Sequence, residues 1–240
     1  MKNNPQDRFV RNLLAVLGFS WIAFPAQAVT VISSGHVDVF EVEYEQDGTN
    51  RPTLHLGVHT DTTHFEPADV ILEVGAAALT STVGLSSNLV NLLGESAYIL
   101  PVDLEVAAGL GLLEAGVGRA GFPDSGALTF SMVAAGSANP GNFALFTSSS
   151  SIRLSTLGSS VSSSSFSTVS SHLHYNWGFS APGTYTFDLK ATYTDADFGL
   201  LESSTETYTF NVIPEPSSGA LLLAGMAALA VTRRKIRRLV

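Results

Sequence analysis

Residues 35–61 have the sequence GHVDVFEVEYEQDGTNRPTLHLGVHTD, in which two runs of alternating apolar and polar residues flank a turn-forming stretch. Alternation with a period of two is typical of a β-strand with one buried face. Asp47, Gly48 and Asn50 supply the turn residues, so the stretch predicts a β-hairpin. If the turn centres near Gly48 and Thr49, the numbers of paired residues sum to about 97.

This register predicts that His36 lies opposite Asp61 and Asp38 lies opposite His59. Within each strand the two residues are two apart, so all four side chains share one face of the sheet. Directly opposed residues lie roughly 5 Å apart, which is close enough for imidazole and carboxylate groups to bind one metal ion. A slip of one residue in the register would scatter the four side chains.

A second histidine block, His172 and His174, opens the segment HLHYNWGFSAPGTYTF, and no histidine occurs in the 107 residues between His64 and His172. Their spacing of two predicts that both imidazoles face the same side of a strand. If that strand lies against the hairpin, the two blocks form one site. The predicted metal ligands are His36, Asp38, His59, Asp61, His172 and His174, with His55 and His64 as further candidates.

Zinc is the metal that tetrahedral sets of imidazole and carboxylate ligands favour, although copper binds such ligands more tightly. The chain has no cysteine, so thiolate sites are excluded. Glu66, Asp69 and Asp195 are acids that could orient the imidazoles from behind. The alternative is that the histidines are structural.

The length of 240 residues and the apolar content of 45% fit one domain with a sizeable core. Runs rich in Val, Thr, Phe and Tyr, separated by turn residues, predict an all-β, antiparallel β-sandwich, immunoglobulin-like in the broad sense. The predicted strands are 29–33, 36–45, 53–60, 69–74, 97–104, 127–133, 142–146, 183–193 and 205–212.

One helix is predicted over Ser86 to Leu93, capped by Ser86 or Ser87 and ended by Gly94. Residues 148–171 are dense in serine, and we expect an exposed loop there, either a lid over the histidines or a tolerated insertion. Trp177, which alternates with Phe179, is expected in the core.

Residues 1–28 combine a basic start, an apolar stretch and a small-residue end at Ala26 and Ala28. This order is typical of a secretory signal peptide, and we expect signal peptidase to cleave after Ala28. The alternative is a buried N-terminal helix. The predicted mature domain is therefore residues 29–213.

Residues 214–240 combine Pro214-Glu215-Pro216, an apolar segment at 219–231 and five basic residues. This segment resembles the PEP-CTERM sorting tail of Gram-negative bacteria. The resemblance implies removal by an exosortase and delivery to the cell surface or extracellular matrix. Thirteen apolar residues span roughly 20 Å of helix against a hydrocarbon core of roughly 30 Å, which favours transient insertion into the inner membrane. The alternative is a plain C-terminal transmembrane helix.

The predicted mature domain has 4 basic and 19 acidic residues. So acidic a domain repels nucleic acid and attracts cations. The acidity also serves solubility, which is the alternative explanation of the charge.

Several motifs occur together: GHVDVFEVEYE, LHLGVHTD followed by His64, FEPADVILEVG, AYILP and HLHYNWGFSAPGTYTFDLKATYTD. In this order they resemble the bacterial surface-anchored "choice-of-anchor M" domain, and in particular its PEP-CTERM subgroup that is repressed by the zinc-uptake regulator Zur. The resemblance implies zinc handling outside the cytoplasm under zinc limitation, beside a metal-uptake transporter. It matches poorly over residues 105–123.

We therefore expect a secreted, surface-sorted zinc-binding protein that captures, buffers or delivers zinc and is not an enzyme. A structural or adhesive surface module is the first alternative. A metal-dependent hydrolase or a dismutase-like enzyme is the second, and it rests only on the His-x-His spacing at His172 and His174.

Overall fold

A computed structural model describes residues 28–214 except Asp47 and Thr49. Within this range the chain forms eighteen strands and two α-helices. The strands are β1 (Thr30–Ile32), β2 (Gly35–Glu45), β3 (Thr53–Thr60), β4 (His64–Phe65), β5 (Val70–Val74), β6 (Leu79–Ser81), β7 (Ser96–Leu100), β8 (Leu113–Ala120), β9 (Leu128–Ala135), β10 (Phe143–Phe146), β11 (Ile152–Leu157), β12 (Ser160–Ser163), β13 (Ser165–Thr168), β14 (His172–His174), β15 (Asn176–Phe179), β16 (Gly183–Asp195), β17 (Gly199–Glu202) and β18 (Glu206–Val212). The helices are α1 (Ser87–Leu93) and α2 (Leu104–Gly109), and the short 3-10 turns are Pro67–Asp69 and Ala76–Ala78.

The strands form three sheets. The five-stranded sheet has the order β14-β8-β2-β3-β4, and the six-stranded sheet has the order β12-β11-β10-β15-β7-β6. The seven-stranded sheet has the order β1-β5-β18-β16-β9-β13, with β17 paired to β16. The predicted all-β class is thus confirmed by a mostly β structure, and several sheets around a core fit the predicted sandwich.

One aromatic core joins the three sheets. Phe40 of the five-stranded sheet lies 4.8 Å from Trp177 of the six-stranded sheet and 5.0 Å from Tyr208 of the seven-stranded sheet, measured between ring centroids. All three side chains are buried. Phe40 and Trp177 therefore fix the inner face of the five-stranded sheet, and Trp177 has the core position expected from the sequence.

The prediction that all strands are antiparallel is wrong at three pairings. β2 pairs with β8 in parallel, and β5 pairs in parallel with both β1 and β18. The prediction assumed short turns between neighbours, whereas parallel strands need a long crossover. The chain between β2 and β8 supplies one, since it passes through both other sheets before it returns.

Helix α1 confirms the predicted helix. Ser86 is its N-cap residue, and Gly94 ends it with a φ of 88°, a left-handed conformation that glycine adopts readily. The strand predicted at 97–104 ends at Leu100 instead. Asp103 caps helix α2 there by accepting hydrogen bonds from the backbone N–H groups of Glu105 and Val106.

The serine-rich stretch is not an exposed loop, because it contains the three strands β11, β12 and β13. Leu154 and Phe166 are buried in it, and Phe166 stacks on Phe130 at 5.2 Å. Composition misled the prediction: a few large apolar residues at alternating positions suffice to hold a serine-rich strand on a core.

The predicted signal peptide, residues 1–28, lies outside the described residues except for Ala28, and so does the predicted apolar segment at 219–231. Between residues 28 and 214, with the two gaps noted, no helix is long and apolar enough to cross a membrane.

Candidate metal centre

All six histidines of the chain lie on the outward face of the five-stranded sheet. The register fixes this arrangement: His59 pairs with Asp38 on one side and with His64 on the other, and His174 pairs with Gly116, which in turn pairs with Asp38. The opposite face of the same strands carries buried residues such as Val37, Val42, Leu56, Val58 and Val117. Core packing therefore orients the histidines toward solvent.

A β-bulge in β2 keeps its carboxylates on this outward face. Val37 pairs with Thr60 and Asp38 with His59, so these numbers sum to 97, but Glu41 pairs with Gly57 and the sum becomes 98. The extra residue falls at Val39 and Phe40, which are both buried. An inserted residue shifts the alternation by one, so Asp38, Glu41 and Glu43 all point outward.

Three histidines bring their Nε2 atoms together at one end of this face. The Nε2 atom of His172 lies 3.3 Å from that of His36 and 2.6 Å from that of His174. One ring nitrogen from each of the three lies within 4.8 Å of the other two. We call His36, His172 and His174 the three-histidine cluster.

Each Nδ1 atom in the three-histidine cluster faces an oxygen acceptor. His172 Nδ1 is 3.0 and 3.2 Å from the two carboxylate oxygens of Asp38, and His36 Nδ1 is 3.2 Å from Asp61 Oδ1. His174 Nδ1 is 3.1 Å from the carbonyl oxygen of Ala115. An acceptor at Nδ1 places the proton there and leaves Nε2 as a lone pair.

Three lone pairs therefore point at one another, an arrangement that repels unless a proton or a metal cation lies between them. Burial lowers the pKa of His174 below its usual 6.5, and the nearby imidazoles of His172 and His36 lower it further, against the opposing hydrogen bond to Ala115. The lowered pKa favours the neutral imidazole, which is the form that binds a metal.

One of the two Nε2–Nε2 distances suits a tetrahedral zinc ion. Two nitrogens bound to one zinc at about 2.0–2.1 Å lie roughly 3.3–3.4 Å apart. The distance between His36 and His172 matches this value, whereas the 2.6 Å between His172 and His174 is shorter. A zinc ion bound by both His172 and His174 would need their Nε2 atoms to lie further apart than this.

Two glycines of β8 make the cluster possible, because β8 lies between β2 and β14. A Cβ atom at Gly116 would overlap Asp38 Oδ1 and lie 3.1 Å from His172 Cε1. A Cβ atom at Gly118 would lie 2.8 Å from Asp38 Oδ2. The missing side chains thus leave a trough over β8 in which Asp38 reaches His172 across an intervening strand.

The predicted set of six ligands is therefore divided. His36, His172 and His174 come together, and Asp38 and Asp61 lie behind them as partners of Nδ1 atoms. His59 lies in a neighbouring group, 3.5 Å from Glu41 Oε2. The strand of His172 and His174 does not lie against the hairpin, because β8 separates them.

His55 and His64 also have acidic neighbours. His55 Nε2 lies 3.2 Å from Glu66 Oε1, and His64 Nδ1 lies 3.4 Å from Glu43 Oε1. The distance of about 13 Å expected between His55 and His59 along an extended strand placed His55 away from the first site. Its ring lies 5.4 Å from that of His64, measured between centroids, and β4 pairs with β3 at Val58 and His59.

Sequence reasoning missed several residues that build this face: Glu41, Glu43, Gly57, Gly116 and Gly118. Their signals are weak but present. Val39 and Phe40 break the alternation of β2, which is a sign of a bulge. Alternating glycines in the segment AGVGRAG indicate a strand that another group approaches closely.

Comparison with protein families finds one match, the PEP-CTERM protein-sorting motif at residues 212–238. No curated protein and no solved structure matches the chain. The matched segment begins at Val212, the last residue of β18, and so follows directly on the folded sheets. The chain thus carries the sorting motif of an exported, surface-associated protein that is processed by an exosortase.

Proposed function

We propose that this exported protein binds one zinc ion through His36, His172 and His174, and that it captures, buffers or delivers zinc at the cell surface. The observation that carries the proposal is the convergence of three Nε2 atoms whose Nδ1 partners all face acceptors. Metal-bound histidines show this pattern of hydrogen bonds on their second nitrogen.

Zinc is favoured by the donor set. Three neutral imidazoles suit zinc or copper and not magnesium or calcium, which prefer oxygen ligands. Copper would bind the same three nitrogens more tightly by intrinsic affinity. The resemblance to the Zur-repressed PEP-CTERM subgroup adds support for zinc, and it suggests a metal-uptake transporter as partner.

The exposure of the three-histidine cluster favours transfer of a bound ion to another protein over catalysis. The side chains of His36 and His172 are 28% and 37% exposed, so an acceptor protein can reach an ion that they hold. Three protein ligands leave a fourth position of a tetrahedral ion for water or for a ligand from that acceptor. The two acids nearest the cluster, Asp38 and Asp61, already hold imidazole nitrogens and are not free as general bases. We therefore propose a carrier and not an enzyme.

The direct test is zinc binding by the full chain, purified without a histidine tag. We expect the double variant His172→Ala, His174→Ala to weaken binding at this site at least a hundredfold, because two of the three ligands are lost. Ser160→Ala with Ser162→Ala is the matched control, since these two exposed serines have the same spacing on another short strand. Unchanged zinc binding in the histidine variant would contradict the proposal.

The main alternative is an adhesive or structural surface module with the same sorting motif. Melting experiments separate the two functions, because a ligand that binds only the folded state raises its stability. If the protein is purified without metal and its melting temperature does not change when zinc is added, the result supports the adhesive or structural function.

A further inference from the structure

Glu41 is a buried carboxylate on the histidine face. The residue is 6% exposed. Its Oε2 atom has no hydrogen-bond partner, its ion-pair neighbour is His59 Nδ1 at 3.5 Å, and no arginine or lysine among the described residues pairs with it. Burying a carboxylate without a hydrogen-bonded partner is costly, and buried charges in folded proteins are normally paired or bind a metal. A cation bound to Glu41 would therefore stabilise its buried carboxylate.

Two groups of metal-binding side chains share Glu41. One ligand atom each from Asp38, Glu41 and His59 lie within 4.8 Å of one another. The same holds for Glu41, Glu43 and His64. The distance of 3.5 Å between His59 Nδ1 and Glu41 Oε2 is long for a hydrogen bond, but it is the spacing of two ligands around one ion.

Unpaired buried atoms concentrate here. Four buried side-chain polar atoms have no hydrogen-bond partner among residues 28–214 with the gaps noted, and three of them are Asp38 Oδ1, Glu41 Oε2 and His64 Nδ1. Such atoms are rare in folded proteins, and a binding site for an ion is one accepted explanation of them. Glu41 Oε2 and His64 Nδ1 lie outside the three-histidine cluster, whereas Asp38 Oδ1 also lies 3.0 Å from His172 Nδ1.

Two features of the backbone bring Glu41 and His64 together. The bulge at Val39 and Phe40 places Glu41 on the same face as Asp38. Gly57, which pairs with Glu41, has no side chain, and a Cβ atom there would overlap the ring of His64. His64 thus reaches over β3 toward β2, as Asp38 reaches over β8 toward His172.

We propose that Glu41 binds a second divalent cation together with Asp38 and His59. Two carboxylates and one imidazole balance the charge of a dication, and this mixed oxygen and nitrogen donor set suits zinc or manganese. Glu43 and His64 lie on the other side of Glu41 and provide further donors. The ligands of this site differ from those of the three-histidine cluster, which are neutral, although Asp38 also contacts His172. The second site does not depend on the proposed function.

The test is the number of zinc ions per full chain, measured by elemental analysis after equilibrium with zinc alone. We expect two ions for the wild type and one for Glu41→Gln, which keeps the shape of the side chain and removes its charge. Glu73→Gln is the matched control, since Glu73 lies in β5 of the seven-stranded sheet. It should retain both ions.

This experiment can contradict either proposed site without contradicting the other. A wild type with one ion that is lost with His172→Ala, His174→Ala and kept in Glu41→Gln would overturn the second site alone. One ion that is lost only in Glu41→Gln would leave the second site and contradict the first. Retention of two ions by Glu41→Gln would overturn the second site.

A second variant guards against misfolding. His59→Gln changes a side chain that is 39% exposed, so it should fold and melt like the wild type. We expect it to weaken the second ion at least tenfold. Two tightly held ions in this variant would likewise overturn the ligand set.

Discussion

The Nε2 atoms of His172 and His174 lie 2.6 Å apart on a strand of only three residues. Both imidazoles have an acceptor at Nδ1, so in their neutral forms neither Nε2 carries a proton. The sheet, Asp38 and Ala115 hold the two rings so that their Nε2 lone pairs repel each other. A cation bound between the two nitrogen atoms would replace this repulsion by attraction. Trp177 reinforces this geometry, because its Nε1–H donates to the same Ala115 carbonyl oxygen at 3.3 Å.

Substitution of Gly116 by alanine should damage the zinc site without replacing a ligand. The new Cβ atom would overlap Asp38 Oδ1 and crowd His172 and His174. We expect zinc affinity to fall by about 10- to 100-fold, the usual effect of disturbing the groups behind a metal ligand. Gly109→Ala is the control, because a Cβ atom there meets nothing within 4 Å. Equal affinities for the two variants, measured by zinc titration, would contradict the role of the trough over β8.

The two carboxylates behind the cluster should differ in importance. The Asp38 side chain is 11% exposed and Asp61 is 77% exposed, so solvent screens the contact between Asp61 and His36 far more. We expect Asp38→Asn to weaken zinc binding about 10- to 100-fold and Asp61→Asn to weaken it much less. Competition with a chromogenic zinc chelator measures both losses in the Glu41→Gln background, because Asp38 is also a proposed ligand of the second ion. A larger loss with Asp61→Asn would show that the order is wrong.

Zinc should stabilise the folded chain. Zinc at a hundred times its dissociation constant adds about 2.7 kcal/mol to the free energy of unfolding when one ion binds only the folded state. We expect the melting temperature to rise with zinc, to fall back with a chelator, and to respond more weakly in the His172→Ala, His174→Ala variant. An identical response in that variant would place the stabilising ion elsewhere.

Asp195 should contribute stability that acid removes. The backbone N–H of Phe198 donates to its carboxylate, as do the Tyr44 hydroxyl and the backbone N–H of Asp197, and these bonds lower the pKa of Asp195 below 3.8. A lowered pKa in the folded state gives stability above pH 3.8 that is lost as the pH falls through the folded value.

Asp195→Asn should therefore melt at a lower temperature than the wild type at pH 7, and the difference should shrink below pH 3.8. Thermal melts of both proteins between pH 7 and pH 2 measure it. A difference that stays constant down to pH 2 would exclude the carboxylate as its source.

The hairpin register was predictable because it depends only on local information. The turn residues and the alternation of β2 and β3 gave the pairing of Asp38 with His59, and the structure confirms it. The contact of His36 with Asp61 follows from the same register. Both predictions use residues less than 30 positions apart, within which turn length determines pairing.

The bulge limited how far that register could be extended. Beyond Phe40 each pair shifts by one residue, so Glu41 and Glu43 join Asp38 on the outward face. Val39 and Phe40 are adjacent apolar residues. Such a pair fits a β-bulge, but it fits equally a break in the apolar and polar alternation without an extra residue. The sequence alone does not decide between these explanations, because the bulge depends on how Phe40 packs against Trp177 and Tyr208.

The neighbour of β14 was not predictable. The two histidine blocks are more than a hundred residues apart, and nothing local shows that β8 lies between them in parallel with β2. Among the residues of β8, Gly116 and Gly118 are the sequence signal that side chains of neighbouring strands approach this strand closely. The division of one predicted site into two groups follows directly from that intervening strand.

The most direct test of the central claim is X-ray absorption at the zinc edge of the zinc-loaded Glu41→Gln variant of the full chain. This variant removes the second ion, so the spectrum reports one site. We expect three imidazole nitrogens at about 2.0–2.1 Å around the zinc. A zinc shell made only of oxygen atoms, or a variant that binds no zinc while it remains folded, would contradict the three-histidine centre.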